Sequence, residues 1–190
     1  MHYISRLVPG SKNPDFLIGT GKVNKIIHYT SHKNLDKIQN SGFLFPKSHP
    51  GINHFKLSLR VQNIIRNESY LVGIPKPLEK GWIKSGLMSY LLNHTSGEVV
   101  LGVPLFENSK SFVRDHYYLS PKNFIEQYGE DLTEKIYDGK IDFEDSRIIN
   151  SVNLYLDSTI SLMNYCDNYL APEIWTPQKT PVDNLEIVVS

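Results

Sequence analysis

The chain has 190 residues, with twenty Lys and Arg against twenty Asp and Glu and an apolar share of 40%. That length favours one compact domain, able to bury roughly 70% of its unfolded surface without a metal or disulfide staple. Zero net charge and ordinary apolar content exclude a disordered chain and a generally basic nucleic-acid coat, while leaving room for a local basic groove.

Residues 1–21 hold Pro9, Gly10, Pro14, Gly19 and Gly21 with little periodicity and read as an irregular arm of a single domain spanning 1–190. Val23–Tyr29 is short, β-branched and partly alternating, which predicts a strand. Thr30 or Ser31 then caps a helix over His32–Asn40, with Leu35 and Ile38 facing the core and Gly42 ending it. A second helix is expected over Phe55–Arg66, where Leu57, Val61, Ile64 and Ile65 recur at helical spacing. Ser69–Pro75 reads as a strand, Trp82–Leu91 as a helical face weakened by Gly86, and Glu98–Leu105 (EVVLGVPL) as the strongest strand.

Ser120-Pro121 is a helix start, followed by an apolar stripe of Phe124, Ile125, Tyr128, Leu132 and Ile136 that Gly129 divides. His116–Pro121 (HYYLSP) fits either a cleft edge or a half-buried strand end. Three further strands are expected at Val152–Leu156, Pro172–Trp175 and Leu185–Val189, giving an α+β domain. No stretch approaches the roughly 18 apolar residues of a membrane span, and the start lacks a signal-peptide pattern, so a soluble protein is expected.

Several chemistries fail on spacing. The GTGK at Gly19–Lys22 lacks the Walker spacing and is followed by Val23, and no G-x-G-x-x-G follows a strand. The single cysteine, Cys166, rules out a disulfide framework or a cysteine zinc cluster within the chain, and reads as a packed residue. Among seven histidines, His28 and His32 are four apart but straddle a strand end and a helix start, and no HExxH or G-x-S-x-G occurs, so neither a metal centre nor a serine hydrolase is expected.

Two segments remain informative. The first is Ile26–Gly42, which places His28, Tyr29 and Thr30 at a strand end before a capped helix carrying Asn34, Leu35 and Ile38. Groups at such a junction face a cleft, and the helix start holds polar or anionic ligands. The second is Ala171-Pro172-Glu173-Ile174-Trp175, followed by Pro177, Pro181 and an apolar run. Together they resemble the ADP-ribosyltransferase superfamily, in its His-Tyr-Glu-like branch, and most closely DarT-type toxins. Phe112–Asp115 and EVVLGVPL are similar to the family's middle elements, so the likeness touches about two thirds of the chain.

The resemblance implies an ADP-ribosyltransferase-like α+β fold, with two small split antiparallel sheets forming an NAD cleft and helices flanking them. It implies mono-ADP-ribosyl transfer from NAD to a nucleic-acid base or a protein side chain, by a toxin or effector that works in its own cytoplasm or is delivered into a target cell's. A neutralising antitoxin or immunity protein follows from the same likeness. Glu173 would be the catalytic carboxylate, His28 would hold an NAD ribose, the Tyr29 backbone the nicotinamide amide, and Thr30 would bond nearby. Tyr70, Tyr117 or Tyr118 would stack on nicotinamide, and Arg60 would orient the pyrophosphate or the acceptor. A noncatalytic binding module on the same fold and an NAD glycohydrolase are the competing readings.

Overall fold

In a computed structural model of the protein, the described residues are 23–47, 69–75, 82, 98–106, 110–137, 144–165 and 169–189. The predicted arm, the predicted helix over Phe55–Arg66 with Arg60, the Trp82–Leu91 face beyond Trp82, and Cys166 lie outside them.

The chain enters the fold through β1 (Lys25–Thr30), in which Ile26 and Ile27 point to opposite faces and are both buried. A strand apolar on both faces belongs in the middle of a sheet. Ser31 then caps α1 (His32–Ser41), its hydroxyl accepting from Asn34 N–H at 3.3 Å, and the Glu98 carboxylate accepts from His32 N–H at 3.1 Å. Gly42 ends the helix at φ 72°, a left-handed turn that favours glycine. Leu35 and Ile38, three residues apart, turn inward together, each contributing about 1.5–3 kcal/mol by burial.

The remaining strands are β2 (Phe43–Leu44), β3 (Leu71–Pro75), β4 (Val99–Pro104), β5 (Phe112–Asp115), β6 (Ile160–Ser161), β7 (Pro172–Thr176), β8 (Thr180–Pro181) and β9 (Glu186–Val189). Among the described residues seven of them form one antiparallel sheet, in the order β6-β5-β7-β3-β1-β4-β9, and β2 pairs with β8 in a separate ribbon. The fold is therefore α+β around one large antiparallel sheet, where the sequence reading expected two small ones. A division does run through it. Ile74 and Pro75 of β3 pair with β1, while Leu71, Val72 and Gly73 pair with β7, so β3 changes partner halfway along.

After β5 the chain makes a 3-10 turn (His116–Leu119), then α2 (Pro121–Tyr128), α3 (Glu130–Tyr137) and α4 (Ser146–Asp157). The HYYLSP segment is thus a turn rather than a strand end, because the Asp115 side chain caps it by accepting from Tyr117 N–H. Gly129, at φ 86°, separates α2 from α3 as the sequence suggested. Val152–Leu156, expected as a strand, lies within α4: Ile148, Val152, Tyr155 and Leu156 fall on one helical face and are buried together, and Asp145 caps the start.

Cross-strand partners share a face. On one face Ile26, Leu101, Val103, Val113 and Ile174 pack with Leu35 and Ile38 of α1. On the other, Trp175 and Tyr70 pack under α2–α4 through Phe124, Ile148, Val152 and Tyr155, while Ile27, Tyr29 and Ile74 pack with Trp82 and Ala171. No helix among the described residues is long and apolar enough to cross a membrane.

Candidate active site

β5 and β7 pair with Phe112 opposite Trp175, Val113 opposite Ile174, Arg114 opposite Glu173 and Asp115 opposite Pro172. Val113 and Ile174 fill the core under α1, so strand alternation sends Arg114, Glu173, Phe112 and Trp175 to the face beneath α4. There the Phe112 and Trp175 rings stack at 6.0 Å and 14°. The Arg114 guanidinium carbon lies 4.6 Å from the Phe112 ring centroid, 4.7 Å from that of Trp175 and 5.4 Å from that of Tyr155. Arg114 is 1% exposed; its Nε donates to Thr159 Oγ1 at 2.9 Å, and its Nη1 has no hydrogen-bond partner.

The Glu173 carboxylate is 8% exposed and is met from three elements. Its Oε2 accepts from the Tyr155 hydroxyl of α4 at 2.5 Å and from Trp175 Nε1 at 2.9 Å. Its Oε1 faces His116 Nδ1 at 3.1 Å. The two groups stand at ion-pair distance, an attraction that operates when the imidazole is protonated. Burial alone would raise the carboxyl pKa. The charge and N–H of His116, with the donors on Tyr155 and Trp175, outweigh burial and bring it from 4.5 down to about 2. Burial, and then the Glu173 charge, push the Tyr155 phenol well above its ordinary value, with Arg114 acting in the opposite direction. The carboxylate is ionised and the phenol is neutral and donating.

His116 is held by rings. Trp82 lies against it at 5.4 Å and 33°, and Tyr155 meets it edge-on at 5.6 Å and 72°. Trp82 in turn donates its Nε1 to Pro172 O at 2.9 Å, tying the cover to the strand that carries Glu173. Asp115 fixes the base of the assembly. Its Oδ1 accepts from Tyr117 N at 3.1 Å and Ala171 N at 2.9 Å, its Oδ2 accepts from Leu170 N at 3.1 Å, and His116 N donates to Ala171 O at 2.9 Å. The 3-10 turn and the approach to β7 are thereby locked together, which holds His116 opposite Glu173.

The other sequence-predicted residues are spread more widely. His28 Nδ1 lies 2.8 Å from Val72 O, at the place where β1 and β3 cease to pair. Strand alternation puts the His28 side chain on the α1 face and that of Glu173 on the α4 face, and their described contacts do not overlap. Thr30 is buried and sits opposite Val99 at the end of the β1–β4 ladder. Tyr29 shares the Glu173 face, packed with Trp82; its buried hydroxyl has no partner, and burial raises its pKa above the ordinary value. Tyr70 is buried edge-on to Phe112 and Trp175, at 5.1 and 5.7 Å, so its ring belongs to the core. The Tyr117 hydroxyl donates to Glu126 Oε2 at 2.8 Å; burial first, then that bond and the nearby carboxylates, push its pKa up to about 12.

Arg114, His116, Trp82, Tyr155 and Trp175 were not assigned roles from the sequence. One signal for them existed: an arginine two residues from Phe112 in a four-residue strand is a charge at a position meant for packing. Among the described residues no group of three His, Cys, Asp or Glu side chains is arranged to hold a metal ion. What the arrangement offers chemically is a fixed negative charge, walled by aromatic rings and backed by a buried cation, beside a sheet that divides. The chain matches no family model, no curated protein and no solved structure in comparisons with known proteins.

Proposed function

We propose that the protein transfers a single ADP-ribose from NAD to a macromolecular acceptor, a nucleic-acid base or a protein side chain, with release of nicotinamide. The observation that carries this reading is the Glu173 carboxylate, buried, ionised and fixed by three neighbours on the strand beside the one that changes partner. When the bond from nicotinamide nitrogen to ribose carbon breaks, its electron pair leaves with nicotinamide and positive charge develops on the sugar. A fixed carboxylate stabilises that charge more in the transition state than in the ground state. The acceptor's nucleophilic atom then bonds to the same carbon and releases its proton to solvent.

The resemblance supplies the other roles: His28 at an NAD ribose, the Tyr29 backbone at the nicotinamide amide, Thr30 beside them, one of Tyr70, Tyr117 and Tyr118 at the ring, and Arg60 at the pyrophosphate or acceptor. The partner change of β3 at the His28 imidazole is consistent with the divided sheet that this reading needs. A neutralising partner belongs to the same reading.

One observation favours a second reading, a noncatalytic module. Protein groups already meet both oxygens of Glu173, as they would in a purely structural cluster. Purified protein and Glu173→Gln incubated with labelled NAD distinguish the two. Glu173-dependent nicotinamide release with label transfer to protein, DNA or RNA supports the transferase and names its acceptor class. Release without transfer points to water as acceptor, and absence of both NAD binding and release supports the module.

A further inference from the structure

Tyr155 and Trp175 both donate to one oxygen of Glu173, and Arg114 touches both of their rings. The guanidinium is buried and its Nη1 is unpartnered. A cation in that position is costly unless opposite charge or polarisable surface compensates for it. Glu173 is its cross-strand partner, but the carboxylate is met by His116, Tyr155 and Trp175 rather than by the guanidinium. Besides its bond to Thr159, the arginine contacts the faces of Phe112, Trp175 and Tyr155 and lies close enough to the Tyr155 hydroxyl to act on it directly. A cation over the face of an indole or phenol is attracted to the ring quadrupole, which holds the ring in one orientation and with it the N–H or O–H that the ring carries.

We propose that Arg114 is a positioning residue that sets the Tyr155 and Trp175 donors on Glu173 through their rings. The inference rests on reading Glu173 as the catalytic carboxylate, and it adds the element that keeps that carboxylate oriented and charged. The guanidinium suits the task, since its carbon stands 4.6–5.4 Å from three ring centroids while Nε still reaches Thr159, a spread that a compact ammonium group reproduces less well. The charged and titratable groups facing Glu173 are Arg114 from β5, His116 from the 3-10 turn and Tyr155 from α4. Asp115 points away and spends both oxygens on backbone N–H groups.

The test is a pH titration of the full chain labelled with carbon-13 at the glutamate carboxyls, in which the resonance lost in Glu173→Gln is assigned to Glu173. The wild-type resonance is expected to titrate well below the ordinary carboxyl range, with a midpoint at about 2. Arg114→Met raises the midpoint by about one pH unit or more, and Arg114→Lys raises it by less. Tyr155→Phe added to Arg114→Met gives less than the sum of the two single shifts, because part of the arginine's effect is exerted through that hydroxyl. An unchanged midpoint in both arginine variants, or shifts from Arg114→Met and Tyr155→Phe that simply add, overturns the proposal. Should the methionine variant fail to fold, the lysine variant decides. Nicotinamide release from NAD is followed in parallel, with a lower kcat at similar KM expected for Arg114→Lys. Equal release by wild type and Glu173→Gln would refute the transferase reading, while a shifted midpoint would still establish the positioning role.

Discussion

Replacing Asp115 with asparagine removes one acceptor from a junction of three chain segments. Asp115 accepts from the backbone of Tyr117, Leu170 and Ala171, and the residue is buried. An asparagine oxygen can keep the two bonds made by Oδ1, but its NH2 then faces Leu170 N–H, donor against donor. A hydrogen bond to a charged group contributes about 1.5–3 kcal/mol, and the Leu170 N–H left unpaired adds little to that because Leu170 is exposed and water can reach it. The net loss is on the order of 2 kcal/mol. For a chain of this size that corresponds to a fall in Tm of about 4–8 °C. Calorimetry or urea unfolding measures it, with Asp183→Asn at an exposed position as a control that stays within about 0.5 kcal/mol of wild type. An Asp115→Asn protein melting within about 2 °C of wild type would show that the three bonds do not hold the junction together.

Glu173 has its pKa lowered from 4.5 to about 2 in the fold, so it contributes stability that is present above the unfolded value and lost as pH falls through the folded one. Glu173→Gln flattens that slope by an amount on the order of 3 kcal/mol between those limits, read from Tm against pH. Gly73→Ala places a methyl 2.7 Å from Ile27 O and 2.8 Å from Ile26 Cδ1, and the backbone oxygen has little freedom to retreat. A destabilisation of about 1–3 kcal/mol is expected in urea unfolding, and a neutral result would mean that β1 and β3 separate easily. Tyr29→Phe removes a buried hydroxyl that has no partner, so stability stays level or rises. A loss above about 1 kcal/mol would reveal a bond to that hydroxyl.

Local signals in the sequence were readable where the physics is local. The Ser31 cap, the Gly42 stop and the Leu35/Ile38 spacing define α1 within a residue of its observed end. Both Ile26-Ile27 and EVVLGVPL are apolar on successive residues, and they become the adjacent strands β1 and β4. The Val152–Leu156 segment misled because β-branched and aromatic residues in a short window mimic a strand; the decisive Ile148 and the Asp145 cap lie upstream of that window. At the site, Glu173 stood out only through the resemblance that joins its segment to the His28 segment, since a glutamate after a proline reads by itself as an edge residue, and its partners did not stand out at all. His116, Tyr155 and Arg114 approach it only because the register of β5 on β7 and the packing of α4 bring distant residues together. The faces of His28 and Glu173 were equally hidden, since they depend on how β3 registers with two neighbours.

The strand order also bears on how the chain is made. β7 is inserted between β5 and β3, both of which leave the ribosome well before it. Until residues 172–176 emerge, two strands have open edges, and the Arg114 guanidinium lacks the Trp175 ring that it later covers. The nascent chain therefore carries an exposed template for mispairing from the completion of β5 until β7 follows it. It also completes the Glu173 cluster only once β7 has joined, so a partly synthesised chain has no assembled centre.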